Sequence, residues 1–357
     1  MKILYLSQLA EFDSAYYRVL ALRREGHEVI TINTDGYGQT NPVLRKLEFR
    51  AAAGPEVARL NRDILTEANR FRPDVFWADK LLWMRPATLQ ALRSRGIVSV
   101  SYMIDNFFGP RRDPGWRLYA KTIPLYDLHC TQRDRNVQDY LHAGARNVLK
   151  IQTAYEPTIH FPPPDSWSDK DRDREVSFVG TPYDQRGAFL TRLWQECGFA
   201  VRVNGGTVWR RSLSEPAAAA MYLKDGELRN QEYREAIWKS RINLSFLTHS
   251  NQDEFVHKSF EIAACEGFLL AERSDGHLQR FVEDEEAVYF SSFEECADKI
   301  RRYLPDTRER ERVARNGRLR ASASGYANDS QVRLIVARLQ SLVAAAAGTR
   351  GGRVVTA

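Results

Sequence analysis

Short apolar runs rich in β-branched residues alternate with helix-period segments along almost the whole chain, and no other feature constrains the fold as much. KILYLS (2–7) leads into a helical pattern over 14–25, a Gly26-His27 stop and then EVITIN (28–33). Strand, helix and strand in that order form a β-α-β unit, which implies parallel strands. DVFWA (74–78), IVSVSYM (97–103), DLHCT (127–131) and NVLKI (147–151) continue the series, with helical segments over 56–71, 85–95 and 133–143. It resumes with EVSFVG (175–180), FAVRVNG (199–205), RINLSF (241–246), FLLAE (268–272) and AVYF (287–290). Helical patterns over 185–197, 230–239, 257–265 and 293–303 separate these runs, and two more follow at 306–321 and 328–346. The expected class is α/β, with doubly wound sheets that bind ligands at the carboxyl ends of their strands.

At 357 residues the chain exceeds the roughly 250–300 at which one core stops growing, so two domains are expected. EPTIHFPPPDSWSDKDRDRE (156–175) breaks the alternation with three prolines and a dense charge run. The expected division is an N-terminal domain over 1–156, a linker over 157–174 and a second domain over 175–327. A C-terminal helix over 328–346 is expected to pack back across the hinge, and 347–357 to form a flexible tail.

Composition excludes several classes. No run approaches about 18 uninterrupted apolar residues, and MKILYLSQLAEFDS turns acidic after a short apolar run, so it reads as a buried strand and not a signal peptide. Cys130, Cys197, Cys265 and Cys296 lie far apart with no CxxC pair, which supports neither a zinc site nor a disulfide framework and suits a reducing, cytoplasmic setting. The net charge of +6 fits nucleic acid, an anionic membrane or a phosphorylated small molecule alike. Nucleic acid is set aside, because cations and acids are interspersed and no recognition motif appears. The basic helical segment over 43–72, with Arg45, Lys46, Arg50, Arg59, Arg62, Arg70 and Arg72, suits peripheral contact with an anionic membrane, although a solvated charged face is the default.

The chain has neither a Walker A loop nor GxGxxG, so a phosphate needs another cradle. VSFVGTPYDQRG (176–187) offers one: a strand ending at Val179, Gly180 for close backbone approach, and Arg186 near the next helix start. The plain alternative is a strand-turn-helix corner with an exposed arginine. In DEFVHKSFEIAACEGFLLAERSDG (253–276), Lys258 and Glu261 share a helix face beside Ala263, Ala264 and Gly267. There Lys258 suits a diphosphate oxygen and Glu261 a pair of ribose hydroxyls, with Asp253 upstream and Ser259 adjacent. On spacing alone, a solvated ion pair is the better reading.

The run KSFEIAACEGFLLAERSDGHLQRFVEDEEAVYFSSFEECADKIRRYL closely resembles the C-terminal signature of the CgeB-like glycosyltransferases, named for a spore-maturation protein. RERERVARNGRLRASASGYA, VSFVGTPYDQRGAFL and YREAIWKSRINLSF extend the resemblance over 175–326, while LRREGHEV and CTQRDRNVQDYLHAGARNV match only in style. The resemblance implies the GT-B fold of the glycogen-synthase-like retaining group, two Rossmann-like domains facing a cleft. It implies transfer of a sugar from a nucleoside-diphosphate sugar to an acceptor hydroxyl, with retention and without bound metal or other cofactor; the base stays open, with a UDP-sugar taken as the working choice. Glu261 takes the second acidic position of the group's paired-Glu motif, which contacts the ribose. Asp253 takes the first, where this chain has Asp instead of Glu. Lys258 and Arg186 take the basic positions that neutralise the leaving diphosphate, with Gly180 and Ser259 beside them.

The resemblance assigns the acceptor to the N-terminal domain, where Asp13, Tyr17, Arg18 and Asn106 are candidate contacts and Asp105 a candidate base, a turn or cap being its plainer role. His129 reads as a core histidine, and His160 as either a cleft residue or a bystander. Phe107, Phe108, Trp77 and Trp83 would line a sugar platform or the core. The acceptor class stays open among carbohydrate, lipid-linked glycan, protein and small molecule. A GT-B nucleotide-sugar epimerase and a non-catalytic nucleotide-sugar-binding protein remain as alternatives.

Overall fold

The computed structural model describes residues 1–110, 114–223 and 226–351, and it divides into two compact units. Met1–Gln152 together with the C-terminal segment from Asn328 forms the first, and Thr153–Ala327 the second.

In the first unit β1 (Lys2–Ser7), β2 (Glu28–Asn33), β3 (Val75–Asp79), β4 (Val98–Tyr102), β5 (Leu128–Thr131) and β6 (Val148–Lys150) form a parallel sheet in the order β2-β1-β3-β4-β5-β6. Successive side chains leave a strand on opposite faces, so a sheet covered on both sides needs apolar residues at every position. β1 meets that demand. Ile3 and Tyr5 join Val75, Trp77 and Val100 in one core, while Leu4 and Leu6 join Phe76 and Ala78 in another. The helix Ser14–Arg24 covers the first face and Pro55–Phe71 the second.

In the second unit β7 (Arg174–Val179), β8 (Val201–Asn204), β9 (Ser240–Ser245), β10 (Leu269–Glu272) and β11 (Val288–Phe290) run in the order β11-β10-β9-β7-β8, again all parallel. Val176, Phe178, Ile242 and Leu244 line one core, and Leu269, Ala271 and Tyr289 the other. Each sheet therefore has a switch point where the strand order reverses, between β1 and β3 and between β7 and β9.

Three segments differ from the sequence expectation. The chain passes between units at Gln152/Thr153 and Ala327/Asn328, and the whole of 157–174 lies within the second unit. Phe161 and Trp167 pack on Trp238, Arg234 donates to Ile159 O (3.0 Å), and Asp169 pairs with Arg310 (2.6 Å). A few apolar and charged side chains fix this stretch without any periodicity to announce them. The helix Asn328–Gly351 belongs to the first unit and continues through part of the segment read as a tail, of which 352–357 lie outside the described residues. Val332, Ile335, Val336 and Leu339 enter the same core as Ile3, and Arg24 holds Asp329 with two bonds of 2.8 Å. The basic stretch over 43–72 forms two helices, Pro42–Ala51 and Pro55–Phe71, because Ala52 is left-handed, Gly54 has φ 155° and Pro55 opens the second helix.

Candidate functional site

Loops leave the carboxyl edge of the second sheet on both sides of its switch point, where an open parallel sheet leaves room for a ligand. β7 ends at Val179. Gly180 follows at φ 154°, donating its N–H to Asn204 O (2.9 Å) while its carbonyl accepts from Trp209 Nε1 (2.7 Å). A Cβ at Gly180 would stand 3.3 Å from Phe178 Cζ and 3.5 Å from Lys258 Nζ. The missing side chain keeps the approach to that amine open.

Lys258 is the second residue of the helix His257–Ala264. Its ammonium lies over the rings of Phe178 (5.6 Å) and Tyr233 (5.1 Å), and it makes no hydrogen bond or ion pair among the described residues. Burial lowers its pKa from 10.5 to about 8, with Glu261 opposing the fall and Arg186 adding to it. A cation without a hydrogen-bonded counter-charge is costly to desolvate, and an anionic ligand would offset that cost.

Arg186 opens the helix Arg186–Cys197 and bridges the switch point. Nη1 donates to Thr181 O (3.0 Å) after β7, while Nη2 faces Phe246 O (3.2 Å), Leu247 O (3.0 Å) and Thr248 Oγ1 (3.1 Å) after β9. It is buried, so it is not the exposed corner arginine of the plain reading. Its Nε is buried without a partner, and no carboxylate pairs with it among the described residues. Burial lowers its pKa, while Asp184, Glu272 and Asp253 pull the other way. The guanidinium thus ties two loops together and leaves a second unneutralised positive charge near Lys258.

Glu261 lies on the same helix face as Lys258, yet no ion pair joins them among the described residues. Its Oε2 accepts from Tyr233 Oη (2.9 Å), and Oε1 has no hydrogen-bond partner among the described residues. Burial alone would raise this carboxyl. His160, His257, Lys258 and the Tyr233 bond outweigh burial and hold it below the usual carboxylate range. His160 sits edge-on to Tyr233 (5.8 Å) and accepts from Glu156 N through Nδ1 (3.1 Å). Asp253 lies in the loop after β9, its N–H on Thr248 O (3.2 Å) and its carboxylate accepting from Asn251 Nδ2 (2.8 Å).

Ser259 departs from the sequence expectation. It is fully buried, and its hydroxyl bridges Ser245 Oγ (3.1 Å) and His277 Nε2 (2.9 Å), which turns it into the fold and away from the edge. Tyr233, Trp209 and Gly205 are positions that sequence reasoning missed. A Cβ on Gly205 would fall 2.2 Å from Gly180 O, so Gly205-Gly206 after a strand was the available signal. Tyr233 heads the segment YREAIWKSRINLSF, but its pattern gives no hint that the hydroxyl meets a glutamate 28 positions on.

In the first unit the expected acceptor residues divide. Arg18 is 3% exposed and bound to Asp79, with Nε at 2.8 Å and Nη2 at 2.6 Å from the same Oδ2, and its guanidinium lies 4.1 Å from the Tyr102 ring centroid. Tyr17 is buried, and Asn106 is buried with its Oδ1 accepting from Asn136 Nδ2 (3.0 Å). These three face inward, on the packed side of a helix and beneath a tight turn, and are not open to a ligand. Asp105 and Asp13 remain partly exposed, and the Asp105 carboxylate has no hydrogen-bond partner among the described residues. His129 is a core residue, stacked on Tyr140 (4.7 Å), with burial pushing its pKa down to about 4. Trp77 is fully buried, and Phe107 and Phe108 pack against Tyr119 and Tyr140. At the β1/β3 switch point a cavity of about 280 Å³ is lined by Gln8, Tyr37, Asp79, Lys80 and Trp83 among others.

Gly180→Ala tests the ligand edge directly. Pyrophosphate affinity is expected to fall at least tenfold in calorimetric titration, with a stability cost of about 1–2 kcal/mol from the positive φ. Unchanged affinity would show that anions do not approach this edge.

Residues 185–337 match the family model described as glycosyl transferase-like. Sucrose-phosphate synthase from Thermosynechococcus elongatus has a similar structure, with TM-score 0.70 and 13% identity over 97% of this chain and 100% of that one. Anabaena HepE in complex with UDP-glucose gives TM-score 0.68 and 14% identity over 96% and 100%. Trehalose-6-phosphate synthase OtsA gives 0.65 and 13% over 95% and 99%. The fold is therefore GT-B, with two Rossmann-like domains. No curated protein matches the chain significantly.

Proposed function

We propose that this GT-B chain, glycosyl transferase-like over residues 185–337, moves a sugar from a nucleoside-diphosphate sugar to an acceptor hydroxyl. The observation that carries the reading is the pair of cations at the β7/β9 switch point, buried Arg186 and half-buried Lys258, neither of them salt-bridged among the described residues. As the glycosidic bond to the donor breaks, negative charge grows on the leaving diphosphate. Cations already fixed in place stabilise that charge more than they stabilise the ground state. Lys258 contacts the diphosphate beside Gly180, while Arg186 supplies charge and holds the two loops in register. Glu261, ionised and steadied by Tyr233, accepts from the ribose hydroxyls through Oε1. Asp253 is the further acidic group of the donor site.

UDP is the preferred carrier, supported by the UDP-glucose complex of HepE. Retention is part of the proposal, and a structurally similar trehalose-6-phosphate synthase is described as transferring with retention. The diphosphate oxygen is then the group that takes the acceptor proton, and Asp105 is the alternative candidate base. Membership of the CgeB-like subgroup is supported by the signature run over 258–304, and a cytoplasmic location by four unpaired cysteines.

A thermal-shift panel of UDP, GDP, ADP, CMP and TDP tests the donor site. One nucleotide should stabilise the protein by about 2.7 kcal/mol at a hundred times its dissociation constant. No response to any of the five would overturn the donor assignment, and donor turnover in the absence of every acceptor would point to epimerisation.

A further inference from the structure

The helix Pro42–Ala51 carries a patch that the donor chemistry leaves unused. Its start is fixed by Asn41, whose side chain accepts from Val43 N (2.9 Å) and Leu44 N (3.3 Å). Its far end is held by Glu48, which turns inward and accepts from Glu56 N (2.7 Å) and Val57 N (3.1 Å), capping the next helix. Between these ties the helix turns its apolar side chains outward. Val43 is 67% exposed, Leu44 50% and Leu47 57%. At 3.6 residues per turn these three and Ala51 span about 100° of the circumference, so they form one contiguous face.

Arg45, Lys46 and Arg50 are exposed on the same helix, and none of them pairs with a carboxylate among the described residues. Other exposed cations, such as Arg210 and Arg211, are also without an acidic partner among the described residues, so what sets this helix apart is that its cations stand beside three exposed aliphatic side chains. With Glu48 turned inward and engaged as a cap, the outer surface of the helix presents three cations beside three exposed aliphatic side chains. Such a surface is complementary to one that is apolar just beneath a layer of negative charge.

We propose that the helix Pro42–Ala51 docks the protein on an anionic lipid bilayer, lying in the interface plane with Val43, Leu44 and Leu47 below the headgroups and Arg45, Lys46 and Arg50 among the lipid phosphates. Among the described residues no helix is long and apolar enough to cross a membrane, so the contact is with one leaflet. The proposal stands apart from the donor assignment, since vesicle binding is read without any nucleotide.

Co-sedimentation of the full chain with phosphatidylcholine vesicles, with and without a third of phosphatidylglycerol, tests it. Binding is expected only to the anionic vesicles and should weaken as salt is raised. Leu44→Asp/Leu47→Asp is expected to lower the partition coefficient more than tenfold. Arg45→Gln/Lys46→Gln should lower it about 25-fold, from roughly fivefold per cation removed. Near-ultraviolet circular dichroism verifies that each variant is folded. No binding by the wild type, or equal binding by Leu44→Asp/Leu47→Asp, overturns the proposal. So does a dimer seen by light scattering that the same double variant abolishes, because the face then covers a second copy of the chain.

Discussion

Lys258→Ala is expected to lower kcat/KM for the sugar donor by two to three orders of magnitude, the range found when one preorganised charge-stabilising group is removed. The fall should appear mainly in kcat, because charge on the leaving diphosphate peaks in the transition state. Burial holds the Lys258 pKa at about 8, so kcat/KM for the wild type, which reports the free enzyme, should decline as pH rises through that value. Lys258→Arg should remove the decline while restoring part of the rate. A wild-type profile flat between pH 7 and about 9 would contradict the assignment.

Stability should move in the opposite sense. The folded pKa lies below the 10.5 of the unfolded chain, so between pH 8 and 10.5 the unfolded state holds more protons, and stability rises with pH across that window. At neutral pH the half-buried ammonium therefore costs stability. Lys258→Met should raise the melting temperature, by about 1 kcal/mol of stability, while activity collapses. A single position at which activity and stability change in opposite directions would distinguish a binding cation from a packing one.

Asp79→Ala is expected to produce the largest loss of stability, about 3–5 kcal/mol, by leaving Arg18 charged and unpaired in the core. Arg18 donates to Asp79 Oδ2 through Nε and Nη2, and the Tyr5 hydroxyl is bonded to the same oxygen. The other carboxylate oxygen, Oδ1, is buried without a partner. A carboxylate bonded on one side only gains less than its desolvation costs, so replacing the whole pair with apolar residues should recover most of the loss. Chemical denaturation of Asp79→Ala, Arg18→Met and the double variant Arg18→Met/Asp79→Leu tests this. A loss below about 1 kcal/mol in Asp79→Ala would show that the pair contributes little. Nucleotide-induced stabilisation should persist in every variant that folds, since the residues proposed for the donor site belong to the other unit.

The strands were legible because a doubly covered parallel sheet needs apolar residues on both faces, which leaves runs such as KILYLS and RINLSF unmistakable. The helix carrying Lys258 and Glu261 was legible for a similar reason, and so was the turn at Gly180. What periodicity does not encode is which way a polar side chain points. Arg18 and Ser259 each sit at a place where a ligand contact was reasonable, and each turns inward because a partner distant in sequence, Asp79 or His277, completes it. The stretch from 157 to 174 failed in the opposite way. Its composition is that of a linker, but Phe161, Trp167 and Asp169 each find a partner that lies far along the chain.

The two crossings of the chain have a consequence for modularity. Tyr155 forms a parallel bridge with Ala327, and its N–H bonds to Tyr326 O (3.1 Å), so the start and end of the second unit lie side by side. The second unit is in effect a cassette inserted into a single loop of the first, entering and leaving through one doorway. Such a segment is expected to fold on its own as Thr153–Ala327, which circular dichroism of the excised segment checks.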